Sequence, residues 1–113
     1  MAERKKRVLI VEDNAMDSSL IARMLRHGDG GFEVAHAERL DDAVALVKAR
    51  RFDVIISDLT LPDSQGLSTF NGIQQAAVKL PVIVISGTDD EQLALAAVRE
   101  GAQDYLEIGR AHV

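Results

Sequence analysis

Phe52-Asp53-Val54-Ile55-Ile56-Ser57-Asp58-Leu59-Thr60-Leu61-Pro62-Asp63-Ser64-Gln65-Gly66 is the stretch whose reading decides the fold. Its run Val54–Ile56 is wholly apolar, β-branched and free of in-out alternation, and it leads into a lone carboxylate, Asp58. A half-exposed strand alternates apolar with polar residues, whereas a strand covered on both faces does not, so this run belongs in a parallel sheet flanked by helices. Val8–Val11 and Val82–Ile85 have the same character. A weaker strand is expected at Phe32–Ala37, after Gly28, Gly30 and Gly31 break the preceding helix, and a fifth at Asp104–Leu106.

Helix-length segments with helical spacing fill the intervals. Leu20, Ile21, Met24 and Leu25 form one apolar stripe, and Leu40, Ala43, Leu46 and Val47 another. Phe70, Ile73 and Ala77 give a third, and Leu93, Ala96 and Ala97 a fourth that ends at Gly101. Strand and helix alternate, so consecutive strands pair in parallel through right-handed crossovers. The predicted fold class is α/β, an open, doubly wound parallel sheet of five strands. Ligands in such sheets sit beyond the carboxyl ends of the strands.

The chain has 113 residues, room for one domain, and 47% of them are apolar, enough for a core. Thirteen Lys+Arg against 18 Asp+Glu give a formal charge of -5, which argues against direct nucleic-acid binding. The basic cluster Arg4-Lys5-Lys6-Arg7 reads as a solvated lead-in to the first strand. There is no cysteine, which excludes disulfides and thiolate metal sites and fits a cytoplasmic protein. No apolar run approaches membrane-spanning length and the N-terminus has no signal-peptide core, so no membrane association is expected.

Four side chains fall at strand ends: Glu12 and Asp13 after the first strand, Asp58 after the third and Ser86 after the fourth. On this fold they converge on one crevice. Like charges about 4 Å apart at an effective dielectric near 20 repel by roughly 4 kcal/mol per pair, and a divalent cation removes that penalty. An all-oxygen ligand set suits Mg²⁺. Each residue also has an ordinary reading. Glu12-Asp13 could begin a helix, Asp58 could cap a turn and Ser86 could be an N-cap. Their joint placement at adjacent strand ends favours a common site.

Val8-Leu9-Ile10-Val11-Glu12-Asp13-Asn14, the quoted stretch around Asp58, Pro81-Val82-Ile83-Val84-Ile85-Ser86-Gly87 and Gly101-Ala102-Gln103-Asp104-Tyr105-Leu106 together resemble, in order and spacing, the motifs of response-regulator receiver domains. The resemblance runs from Arg7 to Leu106. It implies a flavodoxin-like strand order 2-1-3-4-5. It also implies that Asp58 takes a phosphoryl group from a histidine kinase or phosphotransfer protein. Glu12, Asp13, Asp58 and the Thr60 backbone carbonyl would hold Mg²⁺, and Ser86 would hydrogen-bond the phosphoryl group. Tyr105 would change rotamer, its ordinary alternative being an amphipathic residue at a sheet edge. The state would pass to an output domain of the parent protein, with at most weak autodephosphorylation.

One position departs from the family pattern. A lysine is expected two residues beyond Leu106, and Ile108 stands there; the final helix that normally follows is also absent. An isoleucine cannot neutralise phosphoryl oxygens. Glu107-Ile108-Gly109-Arg110-Ala111-His112-Val113 back-translates to a string resembling a common short-read sequencing adapter. The expected division is therefore an incomplete receiver domain over 1–106 and a non-native tail over 107–113. If Ile108 is native, the alternative is a degenerate pseudo-receiver acting through phosphorylation-independent contacts. An aspartate-nucleophile phosphatase is disfavoured because Thr60 stands where such enzymes carry a second carboxylate. A nucleotide-binding domain is disfavoured because no glycine-rich loop follows the first strand.

Overall fold

The computed structural model describes residues 5–26, 31–86 and 91–107. Its elements in chain order are β1 (Lys6–Val11), α1 (Ala15–Arg26), β2 (Phe32–Ala37), α2 (Leu40–Ala49), β3 (Val54–Asp58), β4 (Thr60–Leu61), β5 (Ser64–Gln65), α3 (Leu67–Ala76), β6 (Val82–Ser86), α4 (Glu91–Glu100) and β7 (Asp104–Glu107). Five strands form one sheet in the order β2-β1-β3-β6-β7, with every neighbouring pair parallel. Counting only these strands, this is the expected order 2-1-3-4-5. A separate two-stranded antiparallel hairpin, β4-β5, was not foreseen.

The apolar runs are explained by two core layers, one on each face. Successive side chains along a strand point to opposite sides of the sheet. Accordingly Leu9 and Val11 of β1 join Ile55, Val84, Phe70, Ile73, Ala94 and Ala97 in the layer under α2, α3 and α4. Val8 and Ile10 join Ile56, Ile85, Ile21 and Ala22 in the layer under α1. The Val, Leu, Ile and Phe side chains among them, withdrawn from water, each contribute about 1.5–3 kcal/mol of transfer free energy.

Local chemistry sets the helix ends. Asn14 Oδ1 accepts the backbone N–H groups of Met16 and Asp17 at 2.9 and 3.0 Å, capping α1. Gly101 closes α4 at φ +128, with its own N–H on the Val98 carbonyl and the Ala102 N–H on the Ala97 carbonyl. The N-terminus of α2 is capped from a distance: Asp63 accepts the N–H groups of Leu40 and Asp41 at 2.8 and 3.0 Å.

Two expectations need correction. In α1 the stripe is rotated, because Ile21 and Ala22 are buried while Leu20 and Met24 are 43% and 63% exposed. The face that α1 turns to the sheet is thus centred on Ile21, Ala22 and the partly buried Leu25. The fifth strand, expected to end at Leu106, runs one residue further, to Glu107, which sits opposite Ser86. Gly28, Gly30 and residues 108–113, including Ile108, lie outside the described residues.

Candidate functional site

β1, β3 and β6 are adjacent, so the residues that end them form a row along one edge of the sheet. Glu12 follows β1, Asp58 closes β3 and Ser86 closes β6. All three are withdrawn from solvent, at 3%, 7% and 2% exposure. Asp13 is exposed beside them. One carboxylate oxygen from each of Glu12, Asp13 and Asp58 lies within 4.8 Å of the others.

The ordinary readings can now be weighed. Glu12 and Asp13 do not cap α1; Asn14 does, and Glu12 Oε1 instead accepts the Asn14 N–H at 3.0 Å. Ser86 is the last residue of β6, and α4 is described from Glu91. Asp58 does make a local turn, since its Oδ1 accepts the Thr60 N–H at 3.1 Å. That bond fixes the carboxylate but does not remove it from the cluster.

Among the described residues, two buried atoms here have no hydrogen-bond partner: Glu12 Oε2 and Ser86 Oγ. A buried polar atom without a partner costs about 1–3 kcal/mol, so both point to something the site is built to receive. Burial is the main cause that lifts the Glu12 carboxyl from 4.5 to about 8; the Asn14 N–H opposes it, and the charge of Asp58 adds to it. In the metal-free chain the carboxyl therefore carries a proton at neutral pH. The donors are all hard oxygens, close enough to share one ion, and the Oε2 acceptor is otherwise unsatisfied; this set fits Mg²⁺.

Thr60 lies in β4, two residues beyond Asp58. Tyr105 is half-buried in the edge strand β7 and packs against the core layer under α2–α4. A groove of about 860 Å³ opens between β2 and α2 beside His36, Arg39, Ala45 and Pro62, and none of the site residues lines it.

Sequence reasoning missed the supports of the site. Thr69 is fully buried and its hydroxyl donates to the Leu59 carbonyl at 3.0 Å. Ser64 hydrogen-bonds Thr69, and the Gly66 N–H donates to the same Leu59 carbonyl at 2.7 Å. A polar residue on a predicted helix reads as surface, so only the Gly66 turn left a signal.

Two buried carboxylates with an exposed third beside them, at the carboxyl ends of a parallel sheet, define an α/β domain built around an acidic, metal-competent crevice. The family model of the response regulator receiver domain matches residues 8–107, and the chain belongs to that family. It is 40% identical over 102 residues to the KDP operon transcriptional regulatory protein KdpE of Escherichia coli, covering 88% of this chain and 43% of the relative. It is 30% identical over 100 residues to the cell cycle transcriptional regulator CtrA of Caulobacter vibrioides, covering 88% of this chain and 42% of that protein. The chain thus spans less than half the length of these curated relatives. Among solved structures, NtrX from Brucella abortus superposes with a TM-score of 0.81 at 31% identity, over 92% of this chain and 23% of that one. The phosphorylated cyanobacterial phytochrome response regulator RcpA superposes with a TM-score of 0.78 at 25% identity, over 95% and 83%.

Proposed function

We propose that the chain is a phosphotransfer signalling switch whose acceptor is Asp58. The carrying observation is the enclosed row of Glu12, Asp58 and Ser86, with two polar atoms in it that have no partner. Glu12, Asp13, Asp58 and the Thr60 carbonyl would hold Mg²⁺, which when bound offsets the charge of the carboxylates and of an incoming phosphoryl group. An Asp58 carboxylate oxygen attacks phosphorus; the new O–P bond forms as the N–P bond of a phosphohistidine breaks, and the imidazole keeps that electron pair. Ser86 donates its hydroxyl proton to a phosphoryl oxygen, satisfying its buried Oγ. Tyr105, at the edge of the sheet, changes rotamer as Ser86 turns to the phosphoryl group, and presents the state on β7 and α4.

On this reading the chain is an acceptor rather than an enzyme, with weak self-dephosphorylation at most. Its partners are a sensor histidine kinase or phosphotransfer protein and an output domain, and its compartment is the cytoplasm. Among the described residues no helix is long and apolar enough to cross a membrane. The solved relative RcpA is a phosphorylated response regulator, which supports the chemistry. The degenerate, phosphorylation-independent reading draws on Ile108 alone.

The test is incubation with a small acyl phosphate and Mg²⁺, followed by intact mass measurement of the parent chain, Asp58→Ala and Ile108→Lys. Labelling that disappears in Asp58→Ala and increases in Ile108→Lys supports the proposal. Equal labelling of Asp58→Ala overturns the acceptor assignment, and no labelling of either the parent or Ile108→Lys favours the degenerate reading.

A further inference from the structure

We propose that Thr69 is a positioning residue for Asp58, acting through the single peptide unit between Leu59 and Thr60. The inference rests on Asp58 being the acceptor. The Leu59 carbonyl accepts two bonds, from the Gly66 N–H at 2.7 Å and from the Thr69 hydroxyl at 3.0 Å. The other end of the same peptide unit is the Thr60 N–H, which donates to Asp58 Oδ1 at 3.1 Å. A peptide unit is planar, with its C=O and N–H pointing in opposite directions. Holding the oxygen from two sides therefore aims the hydrogen, and the hydrogen holds the carboxylate.

The direction of the bonds is fixed by counting protons. A carbonyl only accepts, so the one hydroxyl proton of Thr69 is committed to Leu59. Ser64 must then be the donor in its contact with Thr69 Oγ1. Donors run in one sense from Ser64 through Thr69 and the Leu59–Thr60 peptide to the Asp58 carboxylate. Bonds aligned in this way polarise one another and each is strengthened.

An ordinary helix-end role does not account for Thr69. Its neighbour Ser68 makes only a local bond, donating its hydroxyl to the Gln65 carbonyl three residues back at 3.0 Å. Thr69 reaches ten residues back, to another segment, and is fully buried. Burying a hydroxyl is costly where an apolar isostere would fill the same space, so its presence calls for a specific acceptor. That acceptor lies one residue beyond Asp58.

Thr69→Val removes the proton at nearly constant volume, and Thr69→Ser restores it. The first measurement uses the full 113-residue chain without metal or donor. Amide exchange at Thr60, read against Ile56 in the centre of β3, should accelerate about tenfold in Thr69→Val and stay within about twofold in Thr69→Ser. The second measurement follows labelling by a small acyl phosphate with Mg²⁺. The maximal rate should fall about tenfold in Thr69→Val, while the half-saturating donor concentration moves less than about twofold, because the acceptor and not the donor is misaligned. If Thr69→Val fails to fold, Ser64→Ala carries the test; removing the distal donor should speed Thr60 exchange about two- to threefold. Thr60 exchange and labelling rate equal to the parent's in the folded variants would overturn the proposal. Persistent labelling of Asp58→Ala would instead sink the acceptor reading, and the metal-free exchange data separate the two failures.

Discussion

Replacing Glu12 with Gln should make the metal-free chain more stable as pH rises. Burial raises this carboxyl from 4.5 to about 8, so the folded state keeps a proton that the unfolded chain loses. The contribution of Glu12 is fully present below about pH 4.5, where both states are protonated, and is lost as pH climbs toward and through about 8. A shift of that size corresponds to at most about 5 kcal/mol between the two protonation states. Asp13 beside it is exposed and water reaches the mouth of the site, so about 1–3 kcal/mol should survive screening. Gln cannot ionise, and its amide oxygen can still accept the Asn14 N–H. Urea unfolding of both proteins from about pH 5 to about pH 9 should show the parent losing that amount relative to Glu12→Gln. Comparing the two cancels the titrating groups that do not interact with Glu12; Asp58 and Asp13, which do, are part of the measured difference. Added Mg²⁺ should reverse the loss in the parent. Parallel stability curves with no divergence across that window would refute the account of a buried, protonated Glu12.

Three further outcomes follow from named contacts. Phe70→Ala empties the centre of the larger core layer and should cost about 3–5 kcal/mol in urea unfolding. Gly66→Ala forces a side chain onto φ +67, ψ -143, a region that glycine alone occupies readily, and should cost about 1–3 kcal/mol by the same assay. Burial works against Asp63, yet the N–H groups of Leu40 and Asp41 outweigh it and hold the carboxyl below its ordinary 3.8. Its contribution is present above that value and is lost as pH falls through the depressed one, so Asp63→Ala should melt earlier at neutral pH and converge with the parent in acid.

The sheet was legible because its strands are buried on both faces and therefore lack alternation. Phe32–Ala37 was read to the residue, and the other strands differed only at their ends. The carboxylate cluster was legible because Glu12-Asp13 directly follows the apolar run Val8–Val11 and Asp58 stands one residue, Ser57, beyond Val54–Ile56. Periodicity could not tell which of two adjacent apolar residues in α1 faces the core, and Ala22 took a place assigned to Leu20 and Met24. The β4-β5 hairpin escaped because two-residue strands are too short to carry a pattern. The bond from Asp63 to Leu40 spans 23 residues and Thr69 to Leu59 spans ten, so neither is visible to a local window. Asn14 did leave a signal, a short polar residue just ahead of an apolar helix, and it was passed over.

The strand order also bears on how the chain reaches its native state. β1 pairs with β3, and the bond from the Arg7 N–H to Asp53 beside that pairing joins residues 46 apart. Closing so long a loop costs entropy before any contact repays it, which places this step late and makes it slow. The same closure brings Asp13 and the protonated Glu12 against Asp58, so the desolvation of Glu12 and the repulsion between Asp13 and Asp58 are both met as these strands pair. Conditions that discharge the crevice should therefore speed refolding itself, and the chemistry of the site doubles as a brake on the assembly of the fold.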